Sequence, residues 1–568
     1  MIAWKKNPVD RELVRGIAKK YSCDLLTAFI LVNRGINEDE IPYFLSDDPL
    51  LLHDPFLLPG MDEAVERIRK ALIGKEKILV FGDRDTDGIT GTVLLADYLQ
   101  SLGMDVSWRI PIADEPYGLS IQAVEEFSSA NGSLIITVDC GISNMAEIGY
   151  AGALTLDVIV TDHHTPKTVL PEALAIVNPK LPYSVYPFPD ISGCVIAYKL
   201  VCALQASLKD SSLADFAQKE SEYIQLAALG TVADIVPLRN ENRIIVRKGL
   251  KAMMEKPRYG LTELLISLGL AGKRITAKEL AWIVCPTLNA PGRMGNPDKV
   301  IELLLDKDPL ERIRLSGEIK SLNEKRKRLG TKTWPLIEQQ AAQSLKQFED
   351  KLVVAAGTHI SRGITGVMAN RMVDCFHIPA MAVHFGKEIA IGSIRSPGNY
   401  DIRLLLEPID DILLAYGGHT NALGFSLPMS LWEQFIDRLE IEIGNIQCAD
   451  MPDEVLTVDA ELPKAYITPD IFAIVDRFEP YGMGNDPLVF VSQGIKIIAS
   501  ALVGKKEPKH LKIVLDAVKY KWNAFLWKAA KNLKREVNAG DVVDLVYSFE
   551  RNIYHSIETP QLVIRCLQ

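Results

Sequence analysis

Short apolar runs alternate with amphipathic stretches over the first part of the chain. An amphipathic helix pattern begins at Met61, and β-like apolar runs follow at residues 77–81, 106–111, 134–138 and 158–161. Helical patterns lie between these runs, and strands that alternate with helices are typical of a parallel sheet. The pattern therefore predicts an α/β domain over residues 61–240, preceded by a short N-terminal segment of helices and loops at residues 1–60.

The pattern changes twice beyond this domain. Residues 241–348 are predicted to form a helical region that ends in a long polar connector helix, and Pro335 should interrupt that helix. A second α/β pattern predicts a domain at residues 349–450. From 451 to 568 the apolar runs are short and β-like, with almost no long helix, which favours a small β-barrel. The predicted fold is therefore an α/β multidomain protein with a C-terminal barrel.

The composition is that of an ordinary globular protein. The 568 residues are 48% hydrophobic and 24% charged, which excludes a wholly disordered chain and a fibrous repeat. No apolar run approaches the ~18 residues of a membrane span, and we expect no signal peptide because the N-terminus has no apolar segment. The eight cysteines are scattered without a CxxC pair, so we expect free thiols in a reducing cytoplasm.

The charge distribution leaves nucleic-acid binding open. The net charge of −10 argues against bulk affinity for nucleic acid, but residues 496–535 contain eleven Lys or Arg against two acids. In that stretch Tyr520, Trp522, Phe525 and Trp527 alternate with lysines. Stacked bases and neutralised phosphates hold a single strand without sequence readout, although alternating aromatics are also typical of a barrel core.

Acidic residues follow three predicted strands of the first domain. They are Asp83, Asp85 and Asp87 after the first strand, Asp139 after the run 134–138, and Asp162, His163 and His164 after the run 158–161. An extended segment after the first strand would turn its three carboxylates to one face. The carboxyl ends of parallel strands meet at one edge of a sheet, where ligands bind. Carboxylates with an imidazole suit Mn²⁺ or Mg²⁺ better than structural zinc.

Two other motifs share part of this pattern. An EF-hand loop also opens with DxDxDG, but its twelfth position needs a bidentate Glu where this chain has Leu94, and a β-strand is out of place before it. The nucleophile loop of haloacid-dehalogenase-type phosphatases also resembles residues 85–88, but that family's later Lys and paired acids do not follow in order. That alternative also leaves Asp83 and the two histidines unexplained.

A series of short motifs runs along the chain in a fixed order. The first three are GDRDTDG at residues 82–88, VDCG at 138–141 and DHH at 162–164. They are followed by AALGTVADIVPL at 227–238, LNAPGRM at 288–294, GSIRS at 392–396, GGH at 417–419 and FEPYGMGN at 478–485. The first three resemble the DHH phosphoesterase superfamily, and the whole series resembles its RecJ single-strand-specific exonucleases over about residues 60–568.

The resemblance implies a DHH domain with a parallel sheet, a helical connector, a DHHA1 α/β domain and an OB-fold barrel. It also implies two divalent ions, Mn²⁺ or Mg²⁺, whose positive charge offsets the repulsion among the acids and serves in-line hydrolysis of a phosphodiester. The implied ligands are Asp83, Asp85, Asp87, Asp139, His163 and Asp234. His164 would be the catalytic residue that faces the scissile phosphate, and Asp162 would support the histidine pair.

The resemblance also implies a set of DNA-binding residues. They are Asn289, Arg293, Asn370, Arg371, Ser393, Arg395, Ser396, Gly418 and His419. Arginine pairs bidentately with phosphate, and glycine lets the backbone approach it closely. The chain departs from the family at Arg84, where an aromatic is usual, and at Ala113, where an arginine is usual and could grip a terminal phosphate.

The function implied is a single-stranded-DNA-specific 5′-to-3′ exonuclease that releases mononucleotides in DNA recombination and repair. We expect a cytoplasmic monomer that acts beside a helicase and a single-strand-binding protein, without a membrane. Two alternatives remain open: a DHH phosphodiesterase for short oligonucleotides or cyclic dinucleotides, and a non-catalytic DNA-binding scaffold of replication. The residues alone, without the resemblance, support a two-metal phosphoesterase with a basic C-terminal domain.

Overall fold

A computed structural model of the chain describes most of its residues. It covers residues 3–112, 115, 117–208, 213–398, 400–445, 455–504, 509–527, 536–554 and 557–568. Within these ranges the chain forms two open sheets, a long helical region between them and a C-terminal barrel. No helix of this part of the chain is both long and apolar enough to cross a bilayer.

The first sheet has five parallel strands in the order β3-β2-β4-β5-β6. Its elements are α4 (Met61–Gly74), β2 (Lys77–Gly82), α5 (Thr86–Ser101), β3 (Asp105–Arg109), α6 (Ile121–Ser129), β4 (Leu134–Val138), α7 (Met145–Ala153), β5 (Asp157–Thr161), β6 (Ala175–Val177), α8 (Gly193–Ser207) and α9 (Leu213–Ala233). Helices α6 and α7 cover one face, and α4, α5 and α8 cover the other. Strands β2 and β4 are apolar on both faces for this reason.

Three strands of this sheet end side by side. Gly82 of β2 pairs with Val138 of β4, and Val138 pairs with Thr161 of β5. The next residues of each strand therefore leave the sheet at the same edge. This alignment brings the three acidic motifs together.

The helical region follows α9 and leads to the second sheet. Its helices are α10 (Asn240–Glu255), α11 (Leu261–Ser267), α12 (Ala277–Glu279), α13 (Cys285–Arg293), α14 (Asp298–Leu305) and α15 (Pro309–Ser344), with a π turn at Leu280–Val284 joining α12 to α13. The prediction that Pro335 interrupts the connector is wrong, because α15 runs through it. Pro335 is exposed, so the carbonyl that loses its N–H partner can reach water.

The second sheet has five strands in the order β10-β11-β9-β8-β7. Its elements are β7 (Val353–Gly357), α16 (Thr365–Phe376), β8 (Ala380–Phe385), β9 (Ile389–Arg395), α17 (Arg403–Leu406), β10 (Ala415–His419), β11 (Ala422–Pro428) and α18 (Trp432–Asn445). Only β7 and β8 are parallel. The end of α15 packs on this sheet through Trp334 and Ile337, so one helix connects the two α/β layers.

The C-terminal strands form a closed barrel. This part of the chain contains β12 (Val455–Thr457), which lies outside the barrel sheet, and then β13 (Ala460–Glu461), α19 (Phe472–Phe478), β14 (Phe490–Val503), β15 (His510–Ala517), β16 (Tyr520–Leu526), β17 (Val542–Tyr554) and β18 (Ile557–Leu567). The strand order is β13-β14-β15-β16-β18-β17, and β14 also pairs with β17. That last pairing closes the barrel and removes its open edges.

The N-terminal segment belongs to this barrel in space. It contains β1 (Ala3–Lys5), α1 (Arg11–Lys20), α2 (Leu25–Asn33) and α3 (Ile41–Leu45). Strand β1 pairs with β12, and Val14 and Leu31 lie in the same core as the barrel residue Ile513. Arg34 and Asp459 join the two parts through a bidentate ion pair with contacts of 2.6 and 2.8 Å.

Candidate metal centre

The acidic loop after β2 is shaped by the start of α5. Asp85 caps this helix, and its Oδ1 accepts the N–H groups of Asp87 at 3.0 Å and Gly88 at 3.2 Å. Asp83 is buried at the strand end, while Asp87 already lies in the first helical turn. The prediction of one extended face with three carboxylates is therefore wrong, because the helix begins between the second and third acid.

Asp87 is held by the N-terminus of a second helix. Its Oδ2 accepts the N–H of Gly193 at 2.7 Å, and its Oδ1 accepts the N–H of Cys194 at 3.1 Å. Both residues open α8, where N–H groups and the helix dipole favour an anion. A Cβ at Gly193 would lie 2.5 Å from the Cβ of Asp139, so glycine allows α8 to reach this edge of the sheet.

Asp139, His163 and Asp234 complete the cluster. Asp139 follows β4 with a φ of +59°, and its Oδ1 lies 3.2 Å from His163 Nε2. His163 Nδ1 lies 3.6 Å from Oδ2 of Asp234, which directly follows α9. Two strand ends and one helix end thus bring together residues that are far apart in the sequence.

Asp162 and His164 form a separate pair at the rim. Asp162 Oδ1 lies 2.7 Å from His164 Nδ1, and Asp162 Oδ2 accepts the N–H of Ile142 at 2.9 Å. Asp162 thus has both oxygens engaged within the protein. The hydroxyl of Tyr117 donates to the carbonyl of Asp139 at 3.0 Å and lies 3.4 Å from His164 Nδ1. Asp162 and Tyr117 therefore both contact the Nδ1 atom of the His164 ring.

The electrostatics of the cluster follow from burial and like charge. Burial, then the charge of Asp85, raises the pKa of Asp83 and of Asp87 to about 7. Burial and the neighbouring acids raise the pKa of Asp139 and Asp234 well above the ordinary value. These carboxyl groups cannot all ionise together without a compensating cation.

The pKa values of Asp162 and His164 shift so that both groups are charged. Burial alone would raise the pKa of Asp162, but the hydrogen bond and charge of His164 outweigh it and lower this pKa to about 2. Burial lowers the pKa of His164, but Asp162 and the neighbouring acids raise it to about 9. His164 is therefore an imidazolium at neutral pH, and its side chain is 30% exposed toward solvent.

The arrangement fits divalent cations. Oδ1 of Asp83 and Oδ1 of Asp139 are buried without accepting a hydrogen bond. Ligand atoms lie within 4.8 Å of one another in three overlapping groups: Asp83, Asp85 and Asp139; Asp87, His163 and Asp234; and Asp139, His163 and His164. Carboxylates with one imidazole are the donors that Mn²⁺ and Mg²⁺ accept. Asp139 and His163 each belong to two groups, as expected of a centre for two ions.

A cleft of about 580 Å³ opens from this cluster toward the second sheet. Three of the predicted DNA-binding residues line it, namely Asn289, Arg293 and Ser393. Asn289 Oδ1 accepts the N–H and the hydroxyl of Thr86 at 2.7 and 2.8 Å, so only its NH₂ group remains to donate to a ligand. Ser393 lies 3.0 Å from the hydroxyl of Thr365.

Arg293, Ser393 and Thr365 line the cleft, and Arg395 lies near Arg293 outside that lining; we name these four residues the basic wall. Arg395 donates to the carbonyls of Ile394 at 2.8 Å and Leu423 at 3.3 Å. Burial and the charge of Arg293 lower the pKa of Arg395 to about 10. Arg293 is accessible to solvent, but the surrounding protein and Arg326 lower its pKa. Two guanidinium groups that repel each other favour an anion between them.

The other predicted DNA-binding residues lie outside the lining of this cleft. Asn370 and Arg371 are exposed on α16, and the Arg371 guanidinium lies 3.9 Å from the ring centre of Trp334. Ser396 donates to two nearby carbonyls, and Gly418 lies in β10 with a φ of +137°. The side chain of His419 and residue Ala113 lie outside the described residues. Contact of these residues with DNA stays a prediction.

Sequence reasoning assigned no role to several cleft residues. Tyr117, Arg362 and Thr365 all line the cleft. Tyr117 stands in the predicted loop after β3, and burial raises its pKa, so its hydroxyl remains a donor. Arg362 stands between Ser361 and Gly363, a glycine-flanked position that could have indicated close approach of a ligand.

The barrel divides the four aromatic residues between core and surface. Trp522 is buried and its indole donates to the carbonyl of Ile467 at 2.9 Å, so it is a core residue. Tyr520 and Trp527 are 43% and 48% exposed, and Trp527 stacks on Phe525 with ring centres 5.6 Å apart. Residues 505–508 and 528–535 of the basic stretch lie outside the described residues.

Comparison with known proteins gives consistent matches. The DHH family N-terminal domain matches residues 77–231, and the RecJ OB domain matches residues 458–566. The single-stranded-DNA-specific exonuclease RecJ of Bacillus subtilis is 33% identical over 99% of this chain and 70% of its own length.

Solved structures give the same result. RecJ from Thermus thermophilus in complex with Mn²⁺ superposes with a TM-score of 0.79 and 27% identity, covering 100% of this chain and 79% of that chain. Its complex with Mg²⁺ gives a TM-score of 0.74 and 26% identity, covering 100% and 78% of the two chains. The fold class, with a parallel-sheet DHH domain, helices and a C-terminal closed barrel, is therefore that predicted from the sequence.

Proposed function

The chain belongs to the RecJ family of single-stranded-DNA-specific exonucleases, and from this premise we propose that it hydrolyses single-stranded DNA from the 5′ end and releases mononucleotides. The observation that carries this proposal is the acidic cluster facing the basic wall across one cleft. A phosphodiester with divalent cations complements both walls at once, because cations satisfy the acids and phosphate oxygens satisfy the arginines.

The acidic cluster is the proposed metal centre. Asp83, Asp85, Asp87, Asp139, His163 and Asp234 would hold Mn²⁺ or Mg²⁺. Divalent ions bound there supply Lewis acidity and lower the pKa of a water nucleophile. The raised pKa values of the buried acids support this role, since the cluster is electrostatically incomplete by itself.

His164 is the proposed catalytic residue. Asp162 and Tyr117 contact its ring at Nδ1, and in the metal-free protein Asp162 and the neighbouring acids outweigh burial and raise its pKa to about 9. A fixed imidazolium next to the metal centre can donate a hydrogen bond to a phosphate oxygen and stabilise the charge that develops in the transition state. Asp162 acts through His164 and is a positioning residue.

The basic wall is proposed to bind the 5′-terminal phosphate. Arg293 and Arg395 present cationic donors, and the hydroxyls of Ser393 and Thr365 lie beside them. If the terminal phosphate rests there while the next phosphodiester reaches the metal centre, the distance between the two sites selects one nucleotide per cut. This register would give both the 5′-to-3′ polarity and the mononucleotide product.

The cellular setting is also a proposal. An enzyme that needs a single strand requires another protein to open the duplex, so we propose action behind a helicase and beside a single-strand-binding protein. Recombination and repair are the processes that the family membership supports. We further propose that the chain works as a monomer in the cytoplasm, where chromosomal DNA is accessible in bacteria.

Digestion of end-labelled strands tests the proposal. With Mn²⁺ or Mg²⁺, a 5′-labelled single strand should release its label at once as a mononucleotide, while a 3′-labelled strand should shorten through a ladder. A blunt duplex of the same sequence should resist. Immediate release of the 3′ label would show that the enzyme digests from the 3′ end instead. Cleavage of only dinucleotides or cyclic dinucleotides would favour the oligonucleotide phosphodiesterase.

A further inference from the structure

A second hollow lies on the face of the second sheet that α16 does not cover. It has a volume of about 400 Å³ and is bounded by the end of α15, by α18 and by strands β7 and β8. Val354 in its floor belongs to the same core as Phe435 of α18, whereas Val353 and Ala355 pack on the α16 side. Thr365 of α16 lines the cleft of the metal centre, and among the described residues the two linings have no member in common. The hollow is therefore a site separate from the cleft.

The hollow combines an aromatic wall with uncharged polar side chains. Phe385 and Trp432 form the aromatic wall, with ring centres 4.9 Å apart and ring planes at 70°. Gln340, Gln343 and Gln347 stand on the α15 side of the hollow. No acidic, basic or histidine side chain belongs to the lining that the structure describes. A charged ligand would remain without a counter-charge here, so the hollow fits an uncharged ligand with a flat ring.

The glutamine amides of the hollow have oxygen atoms to offer to a ligand. Gln340 Nε2 donates to the carbonyl of Ala356 at 3.2 Å, and Gln347 Nε2 donates to the carboxylate of Glu440 at 2.6 Å. These partners can only accept, so both amides direct their NH₂ groups to them and keep their oxygens as acceptors. Gln340 Oε1 is buried and accepts no hydrogen bond from a described residue. The terminal amide torsion of glutamine is soft, so this oxygen can turn toward a donor that enters the hollow.

We propose that this hollow binds an uncharged nucleobase that carries an amino group, such as the adenine of adenosine. The ring is apolar on both faces and packs against Phe385 and Trp432, as flat ligands do in pockets with aromatic walls. The amino group donates to Gln340 Oε1 and so satisfies an acceptor that no described residue satisfies. Binding there needs neither a phosphate contact nor a metal ion, so the site goes beyond the proposed function.

Calorimetric titration of the full chain with two nucleosides tests the site. Adenosine and purine riboside differ only in the amino group, so the difference in their affinities reports the contact with Gln340. Adenosine should bind to one site with a Kd below about 1 mM. Purine riboside should bind roughly tenfold more weakly, because a hydrogen bond to a buried acceptor is worth about that factor. A chelator in every titration keeps metal ions out of the cleft.

Variants of the lining locate the bound nucleoside. Gln340→Met removes the acceptor and should reduce the affinity for adenosine to that for purine riboside. Trp432→Leu should weaken both nucleosides roughly fivefold or more, because an aromatic contact with the base is lost. Gln339→Met, at the neighbouring exposed position of α15 outside the lining, is the matched control and should bind both nucleosides as wild type does. If a lining variant melts at a lower temperature, the comparison of the two nucleosides on wild type still decides the inference, because it needs no variant.

A long single strand, added in the presence of the chelator, distinguishes the hollow from the cleft. Adenosine should bind equally well with and without the strand, because the two sites share no described lining residue. The inference would be overturned by no binding of adenosine up to about 1 mM, by equal binding of the two nucleosides to wild type, or by displacement of adenosine by the strand. None of these outcomes bears on the proposed function, which is tested separately by digestion of labelled strands with metal ions present.

Discussion

The two walls of the cleft carry opposite charge and are built by different means. The acidic wall is our name for the six proposed metal ligands, of which Asp83 and Asp85 line the cleft. It stands mainly at the carboxyl edge of one parallel sheet, where Gly82, Val138 and Thr161 end in register. The basic wall takes Arg293 from a connector helix and Arg395 from a strand of the second sheet. The acidic wall therefore depends mainly on one sheet, whereas the basic wall depends on how the connector helix packs against the second sheet.

Burial shifts the pKa values of the two walls in opposite directions. In the acidic wall burial raises the pKa of the carboxyl groups, and in the basic wall burial lowers the pKa of Arg395. Each wall therefore holds like charges that are costly to bury and that an opposite charge would relieve. The cleft is complementary to a cation on one side and to a phosphate on the other.

The largest effect is expected from Asp139→Asn, which breaks the acidic wall. Asp139 belongs to two of the three ligand groups, so activity should fall roughly a thousandfold or more at saturating Mn²⁺. The metal-free variant should melt at a higher temperature than wild type at pH 8, because one buried repelling charge is gone. Asp105→Asn, at the opposite end of the sheet in β3, is the matched control. Full activity of Asp139→Asn would refute the two-ion assignment.

His164→Ala separates catalysis from metal binding at the rim of the acidic wall. We expect kcat to fall about 10²- to 10³-fold, because a fixed donor to the transition state is lost. Mn²⁺ affinity, measured by calorimetric titration, should stay close to that of wild type. A parallel loss of Mn²⁺ affinity would show instead that His164 is a ligand, since it lies near Asp139 and His163.

The acidic wall should also make the metal-free protein sensitive to pH. The folded pKa values of Asp83 and Asp87, about 7, are above the ordinary value of 3.8. Their contribution to stability is therefore full below pH 3.8 and is lost as the pH rises through 7. Metal-free wild type should lose about 2–5 °C more in Tm between pH 6 and pH 8 than Asp83→Asn does.

Saturating Mn²⁺ should remove that difference in wild type, since the ligands bind the ion in their ionised form. Differential scanning calorimetry with and without a chelator measures both states. Identical pH profiles for metal-free wild type and Asp83→Asn would contradict the raised pKa of Asp83.

Arg293→Lys tests the basic wall by keeping the charge and removing the planar fork. Cleavage of a 5′-phosphorylated strand should slow roughly tenfold, and cleavage of a 5′-hydroxyl strand should change much less. Arg314→Lys is the matched control, because Arg314 lies outside the cleft and pairs with Glu311 and Glu318 on the connector helix. Equal losses of Arg293→Lys on both strands would show that Arg293 does not sense the end.

The smallest effect concerns the barrel, which lies beyond both walls. Lys512 lies 5.8 Å from the ring centre of Phe525, next to the exposed Trp527. If Lys512 neutralises one phosphate, Lys512→Gln should reduce the slope of log binding constant against log salt by about 0.7 on a long single strand. A filter-binding series from low to high salt measures the slope, and an unchanged slope would place Lys512 outside the DNA path.

The local sequence was sufficient to predict the features that depend on one strand or one helix. Apolar runs identified β2, β4 and β5, and their acidic ends identified Asp83, Asp139 and the histidine pair, because a parallel sheet must align these ends. The order of the motifs predicted the barrel and the family as well. The same reasoning was wrong at Asp87, where capping by Asp85 starts a helix, and at Pro335, where solvent can satisfy the freed carbonyl.

Tertiary structure alone decided what depends on packing between distant segments. The exposure of Trp282 beside a buried helix face, the burial of Trp522 in the barrel and the stacking of Arg371 on Trp334 cannot be read from residue types, because aromatic and arginine side chains occur both in cores and on surfaces. The N-terminal segment likewise has a pattern of ordinary amphipathic helices, and only the fold places it on the barrel core. The hydrophobic periodicity along a helix or strand is written in its own residues, whereas the segment that packs against each face is determined by the fold of the whole chain.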